Sequence, residues 1–201
     1  RSVKDSNGKG YGKISLARGF ELSSNTVLVQ SVYDSYKNNP KQFVDRINSY
    51  GLNKPLGLPI KGEGKPVIPQ PGTNRWSGVA LPWMAFGYGL SVTPLQTLTL
   101  YNAVANDGVM VKPIFVSEIK EWNKTIKKYN TEVINPRICS QETLDKVQAV
   151  LENVVKRGTG SKLYSKDFSM AGKTGTAQVN YKDKSKLYYA SSFVGYFPAD
   201  E

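Results

Sequence analysis

Histidine is absent from all 201 residues, and this one gap removes Ser-His-Asp triads, imidazole metal ligands and histidine pH switches. Any acid–base chemistry must draw on Lys, Asp, Glu or Tyr. Cysteine occurs once, at Cys139, so neither an internal disulfide framework nor a cysteine-cluster metal site can form; no metal or cofactor is expected. No run of about 18 apolar residues exists, which leaves no segment able to span a bilayer as a helix. Acidic residues are few beside basic ones, 16 against 27, for a net charge of +11. Such an excess raises the question of nucleic acid. The lysines are scattered, however, and form no block of about 5–8, so no nucleic-acid partner is expected. A basic surface facing an anionic envelope accounts for the charge. There is no signal peptide, and both ends, Arg1 and Glu201, read as positions inside a longer chain.

What is present describes a soluble globular domain, with 39% hydrophobic and 21% charged residues. The pattern predicts a helix over Ile14–Ser23, with Ile14, Leu16, Ala17 and Phe20 on one face. The cap-forming triplet Ser23-Ser24-Asn25 interrupts it. Helices follow over Thr26–Tyr36 and Pro40–Ser49, the second opening on proline and stopping at Gly51. Leu52 to Gly78 is rich in glycine and proline and reads as a long surface loop. Thr93-Pro94-Leu95-Gln96 predicts a capping box and a helix with Leu95, Leu98, Tyr101 and Ala105 inward, ended by Asn106-Asp107-Gly108. Val109–Val133 reads as a β-hairpin turning near Asn123-Lys124. A helix from Ser140 to Gly158 should bury Leu144, Val147, Leu151 and Val154. Two strands, Met170–Tyr181 and Leu187–Phe197, close the chain around a turn at Lys182-Asp183-Lys184. Helices first and an antiparallel pair last argue an α+β fold.

Chemistry concentrates in Ala171-Gly172-Lys173-Thr174-Gly175-Thr176-Ala177. In a strand, Lys173 and Gly175 share one face and Thr174 and Thr176 the other. Gly175 lets a backbone or ligand approach closely. A cation, two hydroxyls and open backbone N–H groups suit a carboxylate and an oxyanion. Two competing motifs fail here. A phosphate loop needs glycine where Asp167 stands, and a helix where a strand follows. An ion pump of the phosphorylated-aspartate type needs aspartate where Gly172 stands.

Ser23-Ser24-Asn25 followed by Lys173-Thr174-Gly175 resembles the second and third signatures of the serine penicillin-recognising enzymes, Ser-x-x-Lys, Ser-x-Asn and Lys-Thr/Ser-Gly in chain order. Three further runs look like those of division-type class B penicillin-binding proteins: Phe86-Gly87-Tyr88-Gly89-Leu90-Ser91-Val92-Thr93-Pro94-Leu95-Gln96, Gly158-Thr159-Gly160, and Ser192-Phe193-Val194-Gly195-Tyr196-Phe197-Pro198-Ala199. The similarity covers essentially the whole chain.

The resemblance implies a partial transpeptidase-like domain over residues 1–201. Its helical cluster would pack on an antiparallel sheet that lacks strands from both ends. It implies serine acyl transfer, crosslinking peptidoglycan stem peptides, with β-lactams as inhibitors. Ser23 would relay protons, Asn25 would bind the substrate amide and Lys173 would hold Ser23. Thr174 and Thr176 would take the terminal carboxylate beside Gly175, the Thr176 N–H giving half an oxyanion hole. The family's usual setting is the outer face of the cell membrane, anchored by an N-terminal helix, with a lipid-II-polymerising membrane partner. The nucleophile is missing: residues 1–22 hold no Ser-x-x-Lys. Ser117-Glu118-Ile119-Lys120 falls in the wrong order and in a predicted strand, where positions three apart face opposite ways. The fragment is therefore expected to be inert. Two other readings stay open: a non-catalytic module that binds cell-wall peptide, and a β-lactamase or β-lactam-sensor relative.

Overall fold

A computed structural model describes residues 3–180 and 184–200; the Lys182 and Asp183 positions of the expected turn lie outside them. Helix α1 is Leu16–Glu21, α2 Asn25–Tyr36 and α3 Pro40–Ser49. A short α4, Ala80–Met84, precedes α5, Pro94–Ala105. Four short strands follow, β1 (Met110–Val111), β2 (Glu118–Glu121), β3 (Lys124–Lys128) and β4 (Val133–Asn135). Helix α6, Gln141–Arg157, then leads to β5, Ala171–Val179, and β6, Tyr188–Tyr196. The architecture is α+β.

α1 is shorter than expected at both ends. Ser15 caps it by accepting from Arg18 N, and Ser23 leaves it with φ 56°. Its buried residues are Gly19 and Glu21, whereas Leu16 is exposed. A Cβ on Gly19 would lie 2.4 Å from Val27 Cγ1, so only glycine lets α1 and α2 pack this closely. The capping box forms as predicted, Thr93 Oγ1 accepting from Gln96 N and Gln96 Oε1 from Thr93 N. The inward face of α5 differs, however. Gln96, Thr99, Ala103 and Val104 are buried and Leu98 is half exposed. Gln96 can go inside because its amide also donates to Leu52 O and Lys54 O, and Thr99 because its hydroxyl donates to Leu95 O. The two Gln96 bonds also fasten the start of the long loop.

The single hairpin expected over Val109–Val133 divides in two. β2 and β3 pair around Trp122-Asn123, while β1 pairs separately with β4. Pro113, which lacks an N–H, stands where a continuous ladder would run. In α6, Leu144, Leu151 and Val154 are buried as expected, but Val147 is exposed and Val155 takes its place. The stripe runs through Gln148, whose amide donates to Val104 O at 2.8 Å.

The main core joins Ala103, Val104, Met110, Ile138, Leu144, Leu151 and Ala171, with Phe20 and Tyr196 against it. It therefore locks β5 and the end of α1 onto α6. β5 and β6 pair antiparallel without a register shift from Ala171↔Tyr196 to Val179↔Tyr188. Among the described residues no third strand joins this sheet.

Candidate active site

The turn between α1 and α2 is tied from inside. Ser23 N donates to Phe20 O and Ser24 N to Gly19 O, closing α1, while Ser24 Oγ accepts from Val27 N to open α2. Two reversals in three residues force Ser23 into the left-handed region at φ 56°. A non-glycine residue holds that conformation at a cost of about 1–2 kcal/mol. Its hydroxyl thereby projects from the corner.

Across from it, Lys173 Nζ donates to Ser23 Oγ at 2.7 Å and to Thr174 O at 3.0 Å. The amine also lies 5.6 Å from the centre of the Phe20 ring. Burial disfavours the ammonium and lowers the Lys173 pKa to about 8. An amine with that pKa can exchange a proton near neutrality, and the hydroxyl within its hydrogen-bond reach is that of Ser23.

Thr174 Oγ1 pairs with Thr159 Oγ1. Thr176 is exposed one period further along β5. Gln178 N donates to Tyr88 OH at 2.9 Å, so that N–H points away from β6. Alternate N–H groups of a regular strand point to the same edge, which sends the Thr176 N–H to the open edge too. Gly175 keeps this stretch narrow, since a Cβ there would meet Ser192 Oγ at 2.5 Å. Asn25 is the first residue of α2, and its Nδ2 donates to Lys4 O at 3.1 Å.

Residues that sequence reasoning left without a role hold these pieces together. Glu21 is fully buried and accepts from Arg18 Nη1 and Arg157 Nη2, each at 2.8 Å. Burial raises its pKa, but the Arg157 and Arg18 hydrogen bonds outweigh this and hold its carboxyl below the usual range. Its carbonyl accepts from Thr159 N at 3.1 Å. Gly158 admits that contact, because a Cβ there would lie 2.4 Å from Glu21 O. Tyr88, from the Phe86–Gln96 run, fastens the far end of β5. Ser117-x-x-Lys120 lies on the outer hairpin, where Lys120 pairs with Glu118 at 2.7 Å.

Two cavities among the described residues lie elsewhere. One of about 580 Å³ is lined by Asn48, Asn53, Gln70 and Arg75 among others, the second, of about 300 Å³, by Glu152, Lys156 and Asp167 among others. Neither sets a buried amine against a hydroxyl. Chemistry, not volume, selects the Ser23–Lys173 pairing beside β5.

The chain belongs to the penicillin binding protein transpeptidase domain family, whose sequence pattern matches residues 1–201. Stage V sporulation protein D of Bacillus subtilis is 33% identical over 77% of this chain and 24% of its own length. Peptidoglycan D,D-transpeptidase FtsI of Escherichia coli K12 is 32% identical over 67% of this chain and 21% of its own length. Penicillin-binding protein 3 of Mycobacterium tuberculosis, solved in complex with aztreonam, superposes with a TM-score of 0.82 at 29% identity, over 98% of this chain and 45% of that one. The D,D-transpeptidase domain of an Eggerthella lenta peptidoglycan glycosyltransferase superposes with a TM-score of 0.81 at 26% identity, over 98% and 48%. The chain thus spans about a quarter of the length of the curated relatives it matches.

Proposed function

We propose that residues 1–201 form the proton-relay and carboxylate-binding side of a peptidoglycan D,D-transpeptidase domain, within a longer polypeptide that carries the nucleophilic serine elsewhere. The observation that carries this reading is the 2.7 Å bond from Lys173 Nζ to Ser23 Oγ, joining two motifs 150 positions apart. Lys173 holds Ser23 and, with its lowered pKa, passes protons through that hydroxyl to the leaving amine of a D-Ala–D-Ala stem peptide. Thr174 and Thr176 receive the terminal carboxylate beside Gly175. The Thr176 N–H at the open edge stabilises the oxyanion, a contribution worth about 3–4 kcal/mol where such donors are removed. Asn25 orients the substrate amide.

β-Lactams occupy the same cleft as mimics of the dipeptide; the aztreonam complex of the Mycobacterium tuberculosis relative supports this. No described helix is long and apolar enough to cross a membrane. The site works on the outer face of the cell membrane, held there by an anchor outside residues 1–201 and beside a lipid-II polymerase. Without a Ser-x-x-Lys ahead of Ser23 the chain alone is inert.

Intact-mass measurement after incubation with a labelled penicillin tests the reading. One adduct per molecule is expected on the longer polypeptide and none on the chain alone. A stoichiometric adduct on the chain alone overturns the inertness. No adduct on the longer polypeptide overturns the enzyme in favour of a non-catalytic binding module.

A further inference from the structure

Asp5 belongs to none of the motifs, yet its carboxylate is wrapped around the Ser-Ser-Asn turn. Its Oδ1 accepts from Thr26 N at 3.0 Å and from Ser24 Oγ at 3.1 Å. Its Oδ2 accepts from Thr26 Oγ1 at 2.7 Å and lies 3.2 Å from Ser24 Oγ. One residue earlier, Lys4 O takes the Asn25 amide. All of these contacts fall on the three residues that follow Ser23.

Two physical needs converge on this carboxylate. The first turn of α2 has unpaired N–H groups and a positive dipole end, but no acidic residue of its own. The Ser24 side chain is buried, with only 1% of the residue exposed. Its oxygen already accepts from Val27 N, so its proton needs an acceptor, and Asp5 supplies one. Among the described residues, Ser23 Oγ has Lys173 as its one hydrogen-bond partner. On the cleft side that one bond is all that holds the Ser23 hydroxyl; the corner's other ties come from the end of α1 and, through Ser24 and Thr26, from Asp5 behind it.

We propose that Asp5 is a positioning residue of the cleft: it clamps Ser24 and Thr26 from outside and so keeps Ser23 Oγ on the Lys173 amine. The proposal rests on the reading of that cleft as the substrate site. It differs from plain helix capping in one respect, because the state of Lys173 must depend on a carboxylate that does not touch it.

The test is competitive labelling of Lys173 with acetic anhydride across pH, read by peptide mass spectrometry on the full chain. The variants are Asp5→Asn and the charge-neutral Thr26→Val. Ser140→Ala, which removes the cap of α6, is the control for lost stability alone. In both cleft variants the Ser23 corner relaxes and water reaches the amine. The labelling midpoint then rises by about one unit from its wild-type position, and labelling at neutral pH falls about tenfold. Ser140→Ala lowers the melting temperature and leaves the profile unchanged. Should Asp5→Asn fail to fold, Thr26→Val decides alone, since it keeps the Ser24–Asp5 bond. Variants that melt lower but label as the wild type does overturn the proposal and leave Asp5 a helix cap. A wild-type midpoint at the ordinary lysine value instead overturns the cleft on which the proposal rests, so the two failures are told apart.

Discussion

Replacing Glu21 by alanine probes the brace behind the cleft. The carboxylate is wholly buried, and it holds Arg18 and Arg157 at 2.8 Å each. Removing one partner of a buried ion pair costs about 3–5 kcal/mol, most of it from the charge left behind. Here the side chains left behind are not deeply buried, Arg157 being 61% and Arg18 36% exposed. Water reclaims much of their solvation, which points to the lower end, about 3 kcal/mol. Glu21→Gln keeps the shape and one acceptor and loses the charge, for about 2 kcal/mol. The pH dependence follows from the direction of the shift. Glu21 titrates below its ordinary 4.5 when folded, so its contribution is fully present above 4.5 and is lost as pH falls through the folded value. Urea unfolding at neutral pH should show the full deficit of both variants, and the gap between wild type and Glu21→Gln should close in acid. A Glu21→Ala chain within about 0.5 kcal/mol of wild type at neutral pH refutes the reasoning, because that is the scatter of an ordinary surface change. So does a gap that stays constant into acid.

Three further outcomes are expected. Lys173→Met should melt higher than wild type at neutral pH: the folded amine titrates near 8 instead of 10.5, so the stability tied to its neutral form is full above 10.5 and lost as pH falls through 8. A lower melting temperature would contradict that sign. Thr93→Ala should cost about 1 kcal/mol in urea unfolding through the lost cap, and Gln96→Ala more, since Leu52 O and Lys54 O also lose their donor; equal losses would show the loop anchor to be idle. Gly175→Ala should lower the melting temperature, because its Cβ would meet Ser192 Oγ at 2.5 Å, and adding Ser192→Ala should recover part of the loss.

The helices read most clearly in the sequence were those with explicit start signals. Pro40 and the Thr93–Gln96 box marked α3 and α5, and Ser140 marked α6, because caps act within a few residues. The lysine strand and its partner were legible from small and β-forming residues. Which face of α5 turns inward was not, since burial of Gln96 and Thr99 depends on carbonyls they meet only in the folded chain. The division of the Val109–Val133 region was hidden for the same reason: β1 finds β4 across more than twenty residues. That Ser23 and the Lys173-Thr174 pair would come together could be expected from motif order, and they do. Glu21, Thr159, Tyr88 and Asp5 could not be given roles, because each acts through a partner distant in sequence. The buried Glu21 carried the one available hint, an acid inside a helix between apolar neighbours with arginine three residues before it.

The proposed cleft depends on an amine taken out of water beside the Ser23 corner. Selective labelling of lysine side chains, with the Lys173 resonance assigned by its loss in Lys173→Arg, allows that amine to be titrated directly by NMR. A midpoint near 8 is the predicted result. A midpoint near 10.5, the value of a lysine in open water, would place the amine away from Ser23 and contradict the cleft.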